Sequence, residues 1–396
     1  MRMRKRKDTT MKIPKFLDKT LTIIGYALTI VPYLILGVYA ADSAADFFAE
    51  ENLGGELIVM GALLLLAVVL IFAHVIIHEG GHLVCGLISG WKYLSFRVGN
   101  LTLVKQDGKL KCKKTTVAGT GGQCLMIPPQ CEPEKCPFFL YLLGGGLANL
   151  LTGGLAFLAA IPLGGIAEII LTIFGILGIG LGLSNLFPAK MSGTMNDGYQ
   201  IFIELPKNNK AKENMCCLLT ANAVLSENES TSALPENIRN VILALDGEDF
   251  SDTSATNLLF FKTTILQEEG QYEEAEAIFK KVTDSPDALQ IFKNEAACEL
   301  IYHEIMGECN AEKIEKLADK KLMEYINATA LYPSRKRLMY AYYLIYKNDT
   351  AKADEEYQAL LKTAKSHPSK AEGAIELKEA ERIRAYYDNK RAEPKA

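Results

Sequence analysis

The sequence predicts a mainly α-helical chain in two parts. The first is a polytopic helical membrane bundle of about four crossings with a small cytoplasmic-side β-hairpin. The second is a soluble all-α domain of helical-repeat-like character. Three observations lead there. Residues 20–206 contain four long apolar stretches, each near the roughly 20 residues that let a helix cross a hydrocarbon core about 30 Å thick. Lys and Arg concentrate in alternate connections between these stretches. Beyond residue 206 the chain turns to Lys, Glu, Ala and Tyr at helical spacing. The expected divisions are a basic cytoplasmic N-terminus (1–19), a membrane-embedded domain (20–206), a linker (207–249) and a cytoplasmic helical domain (250–391).

The first stretch runs from Leu21 to about Ala40, behind Arg2, Arg4, Lys5, Arg6 and Lys7. A basic start and a possible cleavage site at Val38-Tyr39-Ala40 also fit a signal peptide. The apolar run exceeds the usual 7–15 residues of a signal core, so a retained anchor is expected. The loop from Ala41 to Glu56 has acids and no Lys or Arg, as an outside loop should. The second stretch, Leu57 to about Trp91, is long enough for a helix of about 50 Å. The third covers about Phe138 to Leu163 and the fourth about Gly165 to Phe187. Lys92, Arg97, Lys105, Lys109, Lys111, Lys113 and Lys114 put the second connection inside, and Lys207, Lys210 and Lys212 do the same for the tail. Both termini are therefore expected in the cytoplasm, with the protein integral to a bacterial cell membrane.

Within the second stretch stands His78-Glu79-Gly80-Gly81-His82. H-E-x-x-H on a helix places two imidazoles at i and i+4 on one face, where both can ligate one Zn²⁺, and the glutamate between them can act as general base. Ionisable residues at membrane depth are costly and functional by default. Catalytic zinc sites usually take a third protein ligand and leave one position open. Asp197, in Asn196-Asp197-Gly198 at the inner end of the fourth stretch, is the best candidate; the plainer reading of that tripeptide is a surface turn. His74 lies one turn before His78. The three histidines span about 12 Å of helix, so His74 is expected to support the ligands or line the cavity.

These residues resemble the site-2 protease family of intramembrane zinc metalloproteases. His78-Glu79-Gly80-Gly81-His82 is similar to that family's zinc-binding helix, and Gly144-Gly145-Gly146-Leu147-Ala148-Asn149 to its central glycine-rich motif. Asn185, Pro188 and Asn196-Asp197-Gly198 resemble its final motif. The resemblance covers about residues 57–206. It implies one Zn²⁺ per chain held by His78, His82 and Asp197, with Glu79 as base and a membrane-spanning or membrane-inserted peptide as substrate. It also implies that Asn149 and Asn185 bond the substrate backbone or the zinc-site loops; alternatively these amides stitch neighbouring helices together. The chain departs from the family in having Asn196 where leucine is usual, Gly146 where proline is common, and a longer interval from Pro188 to Asp197. The rival to an endopeptidase is a non-catalytic membrane scaffold, or a peptide-binding or transport protein using the same cavity.

Between the second and third stretches, Tyr93–Val98 and Leu101–Val104 alternate apolar and polar residues, and Asp107-Gly108 marks a hairpin turn. Gly119 to Gly122 and Pro128-Pro129 mark an irregular loop that could gate access. In the tail, Leu259, Leu266, Gly270, Tyr272, Ala275 and Phe279 have the spacing of a tetratricopeptide-like helix pair, and Tyr340, Ala341, Leu344, Ala353, Tyr357 and Leu360 repeat part of it. Such a tail would offer a surface to a cytoplasmic protein partner; a small helical bundle without a partner is the alternative. His303 and His367 are expected to be solvent-exposed. A balance of 43 Lys and Arg against 47 Asp and Glu gives no reason to expect nucleic acid. Nine cysteines at irregular spacing are no disulfide framework. Cys112, Cys124, Cys131 and Cys136 would make either a second metal site or ordinary thiols, and their spacing favours thiols.

Overall fold

Among the described residues four helices are long and apolar enough to cross a membrane: α1 (Lys15–Phe47), α2 (Leu53–Ile88), α3 (Phe138–Ala160) and α4 (Gly165–Leu186). The computed structural model describes residues 14–47, 53–115, 120–191, 193–206, 208–248, 250 and 252–392. The basic residues Arg2 to Lys7, Gly119 and Lys207 lie outside the described residues. Two compact units emerge, one from the described residues of Met1–Tyr93 and Gly121–Lys212, the other from those of Leu94–Thr120 and Glu213–Ala396.

In the first unit α3 packs against both α2 and α4, and α1 lies on α4. Leu57, Ile58, Leu64, Leu65, Leu155, Leu158 and Ile161 stay exposed on the outside of the helices. A bundle with a continuous apolar exterior is unsuited to water and suited to lipid. Glycines let the backbones meet inside. A Cβ on Gly81 would lie 2.7 Å from Ala148 Cβ and closer still to the Gly144 carbonyl. A Cβ on Gly153 would lie 2.8 Å from the backbone of Ile179. Gly154, by contrast, faces open space, so only the first of the Gly153-Gly154 pair serves packing.

Helix α2 ends where Gly90 takes a left-handed conformation with φ +88°. Trp91 N–H then bonds Gly86 O at 3.0 Å and Gly90 N–H bonds Leu87 O at 3.1 Å, a Schellman closure. Trp91 is buried, stacked on Tyr141 with ring centroids 4.6 Å apart. The chain continues as β1 (Lys92–Val98), β2 (Leu101–Gln106), β3 (Lys109–Lys114) and β4 (Gly122–Ile127). Strands β1, β2 and β3 form an antiparallel meander, with Val98 opposite Leu101 and Gln106 opposite Lys109. Asp107 and Gly108 both have positive φ, 52° and 73°, as a two-residue hairpin turn requires.

The expected hairpin therefore forms, but most of it groups with the second unit. Gln106 Nε2–H donates to Ser226 O at 2.9 Å, Asp107 N–H to a Glu227 carboxylate oxygen at 2.9 Å, and Lys113 Nζ to Lys365 O at 2.6 Å. Lys111 and Lys370 each reach an Asp107 oxygen at 2.6 Å and hold its carboxyl down at about 2.

After α4, β5 (Lys190–Met191) and β6 (Thr194–Met195) make a two-stranded turn that leads into the single turn α5 (Asp197–Tyr199) and a π-helical turn over Gln200–Glu204. The described residues of the segment expected as a linker (207–249) are folded. They include α6 (Asn209–Glu227) and α7 (Glu236–Leu243), which bury Cys217, Ala221, Leu225 and Ile242 against Leu258 and Ile265. Those last two belong to α8 (Thr253–Glu268), which pairs with α9 (Tyr272–Asp284) across Gly270. Leu259, Leu266, Ala275 and Phe279 form the core of that pair, as their spacing predicts.

Next come α10 (Gln290–Met306), α11 (Ala311–Leu317), α12 (Lys320–Ala328), α13 (Pro333–Ala341), α14 (Thr350–Ser366) and α15 (Lys370–Ala392). Tyr340, Ala341, Leu344, Ala353 and Leu360 are buried in one cluster there. Two arginines of α13 are buried as well. Arg337 donates to Glu376 at 2.7 Å and to both oxygens of Glu299 at 2.7 and 2.8 Å, and Arg335 pairs with Glu295. His303 and His367 are not solvent-exposed. The His303 side chain is 5% exposed, beside Glu276 and 3.1 Å from Gln267 Nε2, and that of His367 is 10% exposed near Glu372.

Candidate metal centre

Helix α2 presents His78 and His82 on one face because they are four residues apart, and the turn α5 brings Asp197 to the same point. His78 Nε2 lies 3.2 Å from Asp197 Oδ2, His82 Nε2 lies 3.3 Å from the same oxygen, and the two nitrogens are 3.1 Å apart. Three potential ligand atoms thus form a nearly equilateral triangle. His82 Nδ1–H donates to Tyr141 O at 2.8 Å, so the Nε2 of a neutral ring carries a lone pair pointed into that triangle. Facing lone pairs and a carboxylate repel unless a cation stands among them. The residues fit a metal ion.

The centre is enclosed on one side and accessible on the other. Glu79 and His82 are each 7% exposed, whereas the side chains of His78 and Asp197 keep 14% and 15%. Gly145 on α3 roofs the triangle: a Cβ there would sit 2.7 Å from His78 Nε2 and nearer still to His82 Nε2. Gly122 on β4 does the same over Glu79, whose Oε1 its Cβ would meet at 2.7 Å. The backbone N–H of Cys124, on the same strand, hydrogen-bonds the Glu79 carboxylate. Tyr141 ties this corner together, donating its hydroxyl to Cys124 O at 2.7 Å while its own carbonyl holds His82.

Asp197 is placed by its neighbour. Asn196 caps α5, its Oδ1 accepting from Tyr199 N–H at 2.9 Å and from Ala189 N–H at 3.1 Å. Its Nδ2 donates to Ser184 O and Phe187 O, both at 2.7 Å. All four hydrogen-bonding positions of the amide are filled, and leucine could fill none of them. Nothing but the cap-forming character of Asn before a helical turn signals this in the sequence. A second anchor joins the loop to α1: Asp18 accepts from the Tyr199 hydroxyl at 2.9 Å and lies 3.4 Å from Lys190 Nζ.

The remaining expected site residues divide. Asn149 and His74 are buried next to His78, whereas Asn185 is half-buried and donates to Leu181 O of its own helix at 2.9 Å. Asn185 therefore bonds neither the loop of Asp197 nor a neighbouring helix through that donor; Asn196 holds the loop instead. No second cluster of metal-ligating side chains occurs among the described residues. Cys112 and Cys131 are exposed and Cys124 and Cys136 buried, and burial pushes the Cys124 thiol up to about 12. The four are separate thiols.

No protein-family model, curated protein or solved structure matches the chain. Fold and site together define a mainly helical protein with four helices able to span a bilayer and a His-His-Asp group fit to hold a metal ion.

Proposed function

We propose that the protein is an intramembrane zinc endopeptidase, similar to the site-2 proteases, that hydrolyses peptide bonds of membrane-spanning or membrane-inserted peptides. The observation that carries this reading is the triangle of His78, His82 and Asp197 with Glu79 beside it. An ion with bonds of about 2.0–2.1 Å at tetrahedral angles separates its ligand atoms by roughly 3.3 Å. The three edges here are 3.1, 3.2 and 3.3 Å. Two imidazoles and one carboxylate are also a donor set that suits Zn²⁺.

Bound there, Zn²⁺ would acidify a water molecule and polarise the scissile carbonyl. Glu79, on the same helical turn, takes the proton released as oxygen attacks the carbonyl carbon, and returns it to the amide nitrogen as the C–N bond breaks. Gly145 and Gly122 keep side-chain bulk out of the space between base and ligands. The substrate must be extended where it is cut, because a helix hides its carbonyls in its own hydrogen bonds. Charge distribution supports both termini in the cytoplasm, with the centre toward that side of a bacterial cell membrane. The tail supports a helical-repeat-like scaffold that recruits a cytoplasmic protein.

Comparing membrane-fraction peptides from cells carrying wild type or Glu79→Gln tests the reading. Products present only with wild type support it. Identical peptide sets, with both proteins zinc-loaded, would leave a scaffold or transporter. Asp197→Ala should lower zinc content; undiminished binding would move the third ligand elsewhere.

A further inference from the structure

The tautomer of His82 is set by a backbone carbonyl, but that of His78 is not. His78 Nδ1 lies 3.4 Å from Nδ2 of Asn149, which is 1% exposed. The other end of that amide lies 3.4 Å from Nδ1 of His74, which is 0% exposed. His74 Nε2 in turn lies 2.8 Å from Phe174 O on α4. Four groups from three helices thus make an unbroken chain that ends on the metal-facing histidine.

Chemistry orients every member of that chain. The Phe174 carbonyl can only accept, so His74 carries its proton on Nε2. A neutral His74 then has a lone pair on Nδ1 and needs a donor there, which only the NH₂ end of Asn149 can supply, although Oδ1 is the atom placed 3.4 Å from it. A half-turn of the Asn149 amide from that placement brings its oxygen onto His78 Nδ1, where it accepts, and leaves Nε2 of His78 as the free lone pair that ligation requires. The reverse orientation of the amide would place carbonyl oxygens on both nitrogens of His74, which only a doubly protonated buried ring could serve. The two orientations differ by a half-turn of the amide and occupy the same outline.

Resting on the zinc reading above, we infer that Asn149 and His74 are positioning residues that fix the metal-binding tautomer of His78 by relaying the polarity of the Phe174 carbonyl. Partners of this kind raise metal affinity by about 10–100-fold. His74 acts only through Asn149, by forbidding the wrong orientation of its amide.

The test is Zn²⁺ affinity of the purified full-length protein by chelator competition, with visible absorption of the Co²⁺-loaded form as a second readout. Asn149→Leu should weaken binding about 10–100-fold and alter the Co²⁺ bands. Asn149→Asp, whose carboxylate accepts from His78 Nδ1–H either way round and whose other oxygen pairs with a His74 ring that takes up a second proton, should bind within about 3-fold of wild type. His74→Leu should weaken binding in the wild-type background and have no further effect in Asn149→Asp. Wild-type affinity in Asn149→Leu, or Asn149→Asp as weak as Asn149→Leu, would overturn the relay alone. An equal cost of His74→Leu in both backgrounds would reduce His74 to a packing role and overturn its part. A wild-type protein that binds no Zn²⁺ would overturn the relay together with the function on which it rests.

Discussion

Gly145→Ala adds a single methyl group at the point where His78, His82 and Asp197 converge. Its Cβ would lie 2.7 Å from His78 Nε2 and nearer to His82 Nε2, whereas ordinary contact begins at 3.4 Å. Relief needs a separation of nearly 1 Å. Helix α3 cannot supply it by retreating toward α4, because a Cβ on Gly146 would already lie 2.8 Å from Leu186 Cδ2 and one on Gly153 2.8 Å from Ile179 N. His82 must therefore swing away, breaking its 2.8 Å bond to Tyr141 O. Metal–ligand distances tolerate about 0.2 Å. Losing one ligand of four from a site worth roughly 10–16 kcal/mol costs about 3 kcal/mol, or about 10²-fold in affinity. Gly154→Ala is the control, since its Cβ meets nothing within 4 Å. The assay is Zn²⁺ Kd by chelator competition, with circular dichroism to verify helix content. Gly145→Ala should bind about 10²-fold more weakly and Gly154→Ala like wild type. Equal affinities for all three proteins would refute the reasoning.

The same logic separates the two glycines inside the histidine motif. Gly81→Ala drives a methyl group into the Gly144 backbone and should prevent close approach of α2 and α3, read as loss of thermal stability, while Gly80→Ala, with nothing within 4 Å, should be tolerated. Asn196→Asp adds negative charge near the ion, which on Coulomb's law alone would tighten binding. It also turns an oxygen on the Ser184 and Phe187 carbonyls, so zinc affinity should fall by 10-fold or more, at a cost of about 1–3 kcal/mol for each unsatisfied group; tighter binding would contradict the positioning role. In the tail, burial pushes Glu376 up to about 7 against the pull of Arg337. The folded state then holds a proton that the unfolded chain, with a pKa of about 4.3, has released. This stabilising contribution is complete below about pH 4.3 and lost as pH rises through about 7. Calorimetry should show Glu376→Gln gaining in melting temperature relative to wild type across that window, and a constant difference would be evidence against a raised carboxyl.

The four long helices were legible because apolar length needs no tertiary context. Their ends were less so: α1 runs on to Phe47 and α2 begins at Leu53, so much of the loop expected from Ala41 to Glu56 is helical, whereas the later ends fall beside Gly90, Gly164 and Pro188. His78, Glu79 and His82 were legible because one helical turn carries the geometry. Asp197 could be picked out, but Asn196 looked like a departure from a pattern when it is the residue that holds the loop. The folding of 209–243 was hidden because the partners of Cys217, Ala221 and Leu225 in α6, Leu258 and Ile265, lie more than 30 residues further along the chain. No local pattern marks Arg335 and Arg337 for burial, because the acids that make it tolerable, Glu295 and Glu299 of α10, stand about 40 residues away. The chain from Phe174 to His78 joins residues up to 100 positions apart, which no local pattern reveals.

The central claim is that Glu79 performs chemistry at a zinc ion within the membrane domain. Its most direct test is to reconstitute wild type and Glu79→Gln, both loaded with one Zn²⁺, in proteoliposomes with a pool of transmembrane peptides and to follow cleavage by mass spectrometry. The account predicts new peptide termini with wild type and none with Glu79→Gln at equal zinc content. Equal cleavage by the two proteins, or none by either across the pool, would contradict it.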